Sequence, residues 1–347
     1  MDGRSGKSAK PQRIFRRIHR TCHGDLLGLD LFDPCSAGCL HCRHGRNSIE
    51  PPRPIADDLP LLVARELERR RRRGKLPAFL VLGAHSEPFP ASIAGQRITL
   101  AVLREILDRR IGLSIETRGT IPDETIEILA RHRSLVRVRV AVFAGDRHLQ
   151  SIWEPGTADL ETRFFVLRRL REAAVPTVCH LGPIVPTVND SRPRVEEVFA
   201  TAADIGIRRV TTEILRAWPG LADMFAEQIP GRGQLIMAAY RDRTIPSPRQ
   251  RSLPDPEYRR RLYEMLHDLA FKYHRQFGLC RCADKEFGNP PCNLGFGTKR
   301  RITRQLGLFT GSGVPSQVRP SPRSGPSQEP ILRRRPKNPG PKPPDEE

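Results

Sequence analysis

The sequence predicts an α/β fold in which six strands alternate with helices and build a parallel sheet or barrel. Six short apolar runs, each of strand length, occur between residues 26 and 215. A stretch with helical character follows most of these runs, and such alternation is the signature of parallel α/β folds. Ligands of these folds gather at the carboxyl ends of the strands. We therefore expect the functional residues directly after the strands.

The elements follow one another regularly along the chain. The expected strands cover residues 26–32, 78–82, 112–117, 136–143, 177–181 and 209–215. The expected helices cover residues 57–73, 100–109, 123–131, 160–174, 194–205 and 255–276. The first helix has acids at its start and arginines at its end, as the helix dipole favours, and Thr99 is expected to cap the second. The last helix has an apolar stripe that would cover one side of the barrel.

Composition divides the chain into four parts. Residues 1–20 are polar and basic and are expected to be disordered, whereas residues 21–250 hold the strand and helix units. Residues 251–310 contain the last helix and a cysteine-rich extension. Residues 311–347 hold 10 of the 33 prolines and are expected to be a disordered, basic tail.

Three cysteines fall within eight residues directly after the first apolar run, in the segment Asp33-Pro34-Cys35-Ser36-Ala37-Gly38-Cys39-Leu40-His41-Cys42. Thiolates this close together can bind one metal centre, and thiolate sulfur is the preferred ligand of iron–sulfur clusters. The alternative is a structural zinc site that adds His41 or His44. Closed zinc sites usually show two ligand pairs separated by a longer loop, which this segment lacks. The pattern therefore favours a cluster.

The spacing Cys-x-x-x-Cys-x-x-Cys, with His41 before the third cysteine, resembles the cluster-binding loop of the radical S-adenosylmethionine (SAM) enzymes. The resemblance implies that Cys35, Cys39 and Cys42 hold three irons of a [4Fe-4S] cluster and that SAM chelates the fourth. It also implies a partial (β/α)6 barrel of the radical SAM type. An electron donor such as flavodoxin or ferredoxin would be a partner.

Other segments resemble the strand-end motifs of the same family. Ser86 and Glu87, followed by Pro88, look like the turn that contacts the SAM amino group, where a carboxylate can accept a charge-assisted hydrogen bond. Arg118 is similar to the basic residue that touches SAM after the third strand, and it could grip a carboxylate bidentately. The resemblance places His41 and Arg163 in the SAM pocket as well.

Residues 153–157 and 182–190 look like segments of the subgroup that contains the spore photoproduct lyase-like proteins. Those lyases have a cysteine near the end of the second strand, whereas residues 82–86 read Leu-Gly-Ala-His-Ser. They also have a Ser and an Asn at the fourth strand end, where residues 140–143 read Val-Ala-Val-Phe. We therefore do not expect a true photoproduct lyase, and the catalytic residues stay unassigned. Cys179 and His180 are interpreted as core residues, with Cys179 the alternative hydrogen donor if it faces the lumen.

The net charge of +20 raises the question of a polyanionic partner. Residues 1–20 contribute +6 and residues 311–347 contribute +3, so most of the positive charge lies in the expected folded part. A basic core attracts nucleic acid, although an aromatic content of 6% offers few platforms for base stacking. No apolar run approaches the length of a membrane span. Eight cysteines, three of them clustered, fit a reducing compartment, so we expect a cytoplasmic protein.

Cys280, Cys282 and Cys292 lie within thirteen residues of a loop. They predict a second metal site, either an auxiliary iron–sulfur cluster or zinc, to which Cys22 or His274 could add a ligand. The alternative is a set of free thiols.

These patterns together predict a radical SAM enzyme that cleaves SAM and abstracts hydrogen from an unidentified substrate, with nucleic acid the first candidate. One alternative is a radical SAM enzyme that acts on a peptide or small molecule with an auxiliary cluster. Another is a non-catalytic, zinc-stabilised nucleic-acid-binding protein.

Overall fold

The computed structural model describes residues 14–20, 24–42, 51–240, 252–279 and 282–288. In this part of the chain the main feature is one eight-stranded, mainly parallel sheet. The strands are β1 (Phe15–Arg20), β2 (Gly24–Leu29), β3 (Phe32–Asp33), β4 (Arg53–Pro54), β5 (Phe79–Leu82), β6 (Gly112–Thr117), β7 (Val136–Val142), β8 (Thr177–Ile184), β9 (Arg209–Ile214) and β10 (Gln276–Leu279). The helices are α1 (Leu59–Arg72), α2 (Ile93–Leu107), α3 (Asp123–Arg131), α4 (Arg147–Trp153), α5 (Leu160–Glu172), α6 (Arg192–Ile205), α7 (Leu221–Gln228), α8 (Arg232–Ala238) and α9 (Pro256–Lys272).

The sheet has the strand order β1-β2-β5-β6-β7-β8-β9-β10. Strands β2 and β5 to β10 are all parallel to one another, and β1 pairs with β2 in the antiparallel direction. Strands β1 and β10 form the two edges, so the sheet is open. The six expected strands and the partial barrel are confirmed, because the apolar runs that predicted them fill the centre of this sheet.

Strand β1 corrects one expectation. Residues 1–20 were expected to be disordered, but residues 15–20 form a strand whose Phe15 pairs with Leu29 and whose Ile18 pairs with Leu26. Phe15 and Ile18 are buried, and the guanidinium of Arg70 lies over the Phe15 ring. This strand was not predicted from the sequence because the segment carries many charges. The apolar residues Phe15 and Ile18 are nevertheless sufficient to bury one face of an edge strand.

Two other elements differ from the expectation. Helix α2 begins at Ile93 rather than at residue 100, because the Ser92 side chain accepts a hydrogen bond from Gly95 N and caps the helix there. Thr99 lies inside this helix and donates its hydroxyl to Pro88 O at 2.5 Å. Helix α9 ends at Lys272, and Gln276, the last residue assigned to it, instead begins β10, which adds a parallel strand beside β9.

The two faces of the sheet differ in chemistry because successive strand residues point to opposite sides. On β7, the valines 136, 138, 140 and 142 join the apolar core beneath the helices, whereas Arg139 faces the other side. Cys179 of β8 belongs to the same core and is fully buried, and its neighbour His180 lines a cavity. Cys179 therefore does not face the lumen. Among the described helices, none is both long enough and apolar enough to cross a membrane.

Candidate metal centre and active-site cavity

A cavity of about 630 Å³ lies at the carboxyl ends of the central strands. The cysteine loop and the predicted strand-end residues meet there, as expected for a parallel sheet. Its charged lining residues are Glu87, Glu116, Glu213, Arg118, Arg139 and Arg216, so the described wall holds three carboxylates and three guanidinium groups. His41, His85 and His180 also line it, as do Cys35, Cys39, Cys42 and Ser86.

The cysteine loop follows β3 and is held by backbone hydrogen bonds from another part of the chain. Leu40 N donates to Trp153 O at 2.9 Å, and Gly156 N donates to Ala37 O at 3.0 Å. A Cβ atom at Gly156 would lie 1.9 Å from Ser36 O, so only glycine permits this approach. The segment around residue 156 therefore clamps the loop, which gives a physical reason for its Glu-Pro-Gly sequence.

The three sulfur atoms lie in different surroundings within the cavity wall. Cys39 is buried, and Cys35 and Cys42 are half-buried. Glu87 N lies 3.4 Å from Cys35 Sγ and donates a hydrogen bond to it. Burial raises the pKa of the Cys35 and Cys39 thiols, and nearby carboxylates raise it further.

His41 lies against the loop with its ring stacked on Phe143, at 5.5 Å between centroids and 3° between planes. Burial lowers its pKa to about 4, so the imidazole is neutral near pH 7. Its Nε2 atom lies 3.7 Å from Glu154 Oε1, and its Nδ1 atom is buried with no hydrogen-bond partner.

Glu154 contacts His41, Arg118 and Arg163, although no site role was predicted for it from the sequence. Its side chain is fully buried, and its two oxygens accept hydrogen bonds from Arg118 Nε at 2.8 Å and Arg163 Nη1 at 2.5 Å. Burial alone would raise its pKa, but Arg163 and Arg118 outweigh burial and hold the pKa at about 2. Glu154 is therefore an anion that positions the Arg118 guanidinium at the cavity.

Arg163 does not line the cavity. It is fully buried behind Glu154, where it also donates to Ala158 O at 2.8 Å, to Ala141 O at 2.9 Å and to the Thr157 hydroxyl. These contacts of Arg163 stabilise the segment around residue 156 that holds the cysteine loop. A direct contact with SAM stays a prediction.

Glu87 and Ser86 lie where the sequence predicted, at the turn after β5. The Glu87 carboxylate accepts from Thr117 Oγ1 at 2.5 Å, from Phe89 N at 3.0 Å and from Arg118 N at 2.7 Å. Burial raises its pKa in spite of these donors. The Ser86 hydroxyl is buried with no partner of its own. Glu87 thus ties together the ends of β5 and β6, and a ligand would find the Ser86 hydroxyl available.

Cys39, His41 and Glu154 place one ligand atom each within 4.8 Å of one another. This triad is the geometry closest to a zinc site among the described residues. However, both carboxylate oxygens of Glu154 already accept hydrogen bonds from guanidinium groups, whose positive charge opposes a cation beside them. The soft sulfur donors of Cys35, Cys39 and Cys42 therefore fit an iron–sulfur cluster better than this mixed set fits zinc.

The second predicted metal site falls largely outside the described residues. Cys280, Cys292 and Cys22 belong to parts of the chain that the structure does not describe, so the site stays a prediction; His44, the alternative zinc ligand at the cysteine loop, also lies outside the described residues. Cys282 is half-buried, and its carbonyl accepts a hydrogen bond from Arg216 Nη1 at 3.3 Å. Because Arg216 lines the cavity, the Cys282 backbone contacts a residue of the cavity wall.

Four residues that the sequence did not assign to the site form a polar wall, which we define as Glu116, Arg139, His180 and Glu213. Glu116 and Arg139 form an ion pair, and His180 Nε2 lies 3.7 Å from Glu213 Oε1. Thr211 lies 3.0 Å from His180 Nδ1 and fixes the ring. One signal was available, because arginine at alternate positions of the apolar strand β7 marks a face that is not core.

Burial opposes ionisation of Glu213, but His180, Arg139 and Arg216 outweigh it and hold the pKa of the carboxyl well below its usual range. Burial lowers the pKa of His180 below its ordinary value. The Glu213 side chain is 31% exposed and His180 is buried, so the carboxylate is the part of this pair that a cavity ligand would meet.

Comparisons with known proteins agree with this geometry. Residues 31–199 match the family model of the radical SAM superfamily. Spore photoproduct lyase complexed with dinucleoside spore photoproduct superposes with a TM-score of 0.55 at 16% identity, over 72% of this chain and 74% of that one. A mutant of the same lyase with bound AdoMet and dinucleoside photoproduct gives 0.55 at 16% identity, over 73% and 75% of the two chains. At this identity the likeness concerns the fold.

A curated relative is the uncharacterized protein Rv2578c of Mycobacterium tuberculosis, which is 24% identical over 221 residues. The match covers 63% of this chain and 63% of that protein. An uncharacterized protein of Mycobacterium bovis, Mb2609c, matches to the same extent.

Proposed function

We propose that this chain, of which residues 31–199 match the radical SAM family model, cleaves SAM reductively at the cavity and uses the resulting radical on a bound substrate. Cys35, Cys39 and Cys42 would hold a [4Fe-4S] cluster. When bound, such a cluster supplies the electron that splits SAM into methionine and a 5′-deoxyadenosyl radical. The observation that carries the proposal is the convergence of the three sulfurs, Arg118 and Ser86 on one cavity.

The residues around the loop would bind and orient SAM. Arg118 presents a guanidinium, fixed by Glu154, that can pair bidentately with the methionine carboxylate. The Ser86 hydroxyl and the remaining acceptor capacity of Glu87 suit the SAM ammonium group. His41, stacked on Phe143, would exclude water from one side of the loop.

The polar wall would contact the substrate, since it faces the same cavity from β6 to β9. Glu213 is an ionised carboxylate, and it would accept hydrogen bonds from N–H or O–H groups of the substrate. Because the described lining holds equal numbers of carboxylates and guanidinium groups, the cavity suits a polar group with no net charge. A nucleic-acid substrate would therefore enter through a base rather than a phosphate.

Anaerobic reconstitution tests the proposal. The full chain would be loaded with iron and sulfide, the metal content would be measured, and release of 5′-deoxyadenosine would be followed with SAM and dithionite. We expect release from the native protein and none from the triple variant C35A/C39A/C42A. The matched control is Cys179→Ala, which removes a buried thiol that does not line the cavity and should leave release unchanged.

Three outcomes separate the alternatives. Zinc in place of iron, with no SAM cleavage, would overturn the enzymatic proposal and favour a metal-stabilised binding protein. Iron that persists in the triple variant would support a second site at Cys280, Cys282 and Cys292. If Cys179→Ala also released no 5′-deoxyadenosine, the assay would be reporting loss of the fold rather than loss of the cluster.

A further inference from the structure

The charge of the described chain is concentrated at the edge of the sheet opposite the active-site cavity. This amino edge is formed by the connections that enter strands β5 to β10. Counting only those connecting residues, the described ones include seven basic residues and one acid, Asp108. The basic residues are Arg73, Lys75, Arg109, Arg110, Arg133, Arg208 and Arg275. The active-site cavity, in contrast, is lined by equal numbers of carboxylates and guanidinium groups.

The amino edge also contains a concave site. A cavity of about 480 Å³ between the ends of α1 and α2 is lined by Arg65, Arg69, Arg72, Arg73 and Arg109, together with Ala64 and Glu68. Neighbouring carboxylates pair with three of these groups: Arg69 with Glu66, Arg72 with Glu68 and Arg109 with Glu105. The five guanidinium groups of this site exceed the three carboxylates that pair with them, so the site attracts anions.

We propose that the amino edge is a binding site for the backbone of single-stranded nucleic acid, with the arginine cavity as its phosphate pocket. Guanidinium groups bind phosphate oxygens bidentately, which suits this donor set. Neighbouring parallel strands are about 4.8 Å apart, so the basic connections from β5 to β10 span about 24 Å. An extended chain could contact several of these connections at once.

An exposed aromatic ring at the same edge favours nucleic acid over other polyanions. Phe271 is 83% exposed, next to Lys272 at the end of α9 and near Arg275. An unpaired base can stack on such a ring, and base stacking contributes about 1–3 kcal/mol in single-strand binding sites. An acidic protein surface would gain little from it, and one ring is a small apolar anchor for a lipid bilayer.

The amino edge does not overlap the cavity, so the proposal goes beyond the proposed function. The strands between the two are four to eight residues long, which places the edges up to about 26 Å apart. A nucleic acid on the amino edge would be held beside the enzyme without occupying the cavity.

The test is the affinity of the full chain for a fluorescein-labelled 20-nucleotide single strand, measured by anisotropy as a function of salt. One variant carries glutamine at the five arginines of the pocket. A control variant carries glutamine at five exposed arginines outside it, so both lose the same net charge. The control positions are Arg147, Arg192, Arg232, Arg260 and Arg261.

Each phosphate contact to a single strand contributes about 0.7 to the slope of log K against log salt. If three pocket arginines contact phosphates, the slope of log K against log salt should be smaller in magnitude by about 2 in the pocket variant. This variant should then bind about 100-fold more weakly at 0.1 M salt. The control variant should change affinity far less. Phe271→Ala should weaken single-strand binding about 5-fold or more and leave duplex binding unchanged.

Equal losses in both variants would overturn the proposal, because general charge would then suffice. Unchanged binding in the pocket variant would overturn it too, and would assign binding to other basic parts of the chain. Pocket-dependent binding to phosphatidylserine vesicles without binding to the oligonucleotide would identify a membrane surface instead. The 5′-deoxyadenosine assay should be unchanged in the pocket variant, so failure of the radical chemistry is recorded separately.

Discussion

Glu154→Gln tests whether one buried carboxylate stabilises the metal loop. The substitution keeps the shape of the side chain but removes the negative charge that Arg118 and Arg163 share. Arg163 is fully buried, and its charge would then be opposed only by backbone carbonyls and a hydroxyl. Breaking a buried ion pair by removing one partner costs about 3–5 kcal/mol, and we expect a loss of about 3 kcal/mol because the amide oxygen still accepts one hydrogen bond.

The measurement is thermal unfolding of the full chain, followed by circular dichroism. For the roughly 250 residues that the structure describes, the unfolding entropy is about 0.5 kcal/mol/K, so a loss of 3 kcal/mol lowers Tm by about 6 °C. The matched control is Glu124→Gln, which neutralises a carboxylate paired with Arg104 at 2.7 Å on the exposed surface. This control should change stability by about 0.5 kcal/mol or less.

The reasoning is refuted if Glu154→Gln lowers Tm no more than Glu124→Gln does. The charge of Glu154 would then contribute nothing beyond that of an exposed pair. A second readout is the iron content after reconstitution, which should fall in Glu154→Gln because the clamp on the cysteine loop is weakened, and should be unchanged in the control.

Three further predictions follow from the site. Gly156→Ala should lower the iron bound per chain, because its Cβ would collide with Ser36 O; unaltered iron content would show that the loop can shift without consequence. Glu213→Gln should leave cluster content and substrate-free SAM cleavage unchanged, and a loss of either would place Glu213 in cofactor binding instead. His180 has a folded-state pKa below its unfolded value of about 6.5, so the unfolded chain binds more protons and stability falls as pH decreases below about 6.5. The drop in Tm between pH 7.5 and 5.5 should therefore be smaller in His180→Gln, and an equal drop would contradict a buried neutral imidazole.

The central strands and the cysteine loop were predictable because they depend on local patterns. Apolar runs of strand length located β5 to β9, and the spacing of Cys35, Cys39 and Cys42 located the loop. The start of α2 was not predictable from the apolar period, since a side-chain cap by Ser92 decides it. Strand β10 depends on pairing with β9, which is a tertiary contact that no local pattern encodes.

The site residues also divide into those that local patterns predict and those that tertiary contacts decide. Those that follow strands directly, such as Glu87 and Arg118, could be found because chain connectivity places strand ends at one edge. Glu154 could not be found as an ion-pair partner, since its partners are 36 and 9 residues away along the chain. His180 was interpreted as a core residue, but it lines the cavity, although its side chain is buried. Only the sheet geometry shows that it lies on the cavity face, whereas its neighbours Cys179 and Leu181 belong to the apolar core.

The clamp on the cysteine loop affects how the protein would acquire its metal. Hydrogen bonds from Leu40 and Gly156 to distant parts of the backbone hold the loop, so the entropy of ordering it is lost when the chain folds. Metal binding would then not have to supply that free energy, unlike in domains that fold only around their metal. If the chain holds the proposed cluster, loss of that cluster to oxygen would leave the loop in place, and recovery would then depend on iron and sulfide supply rather than on new synthesis.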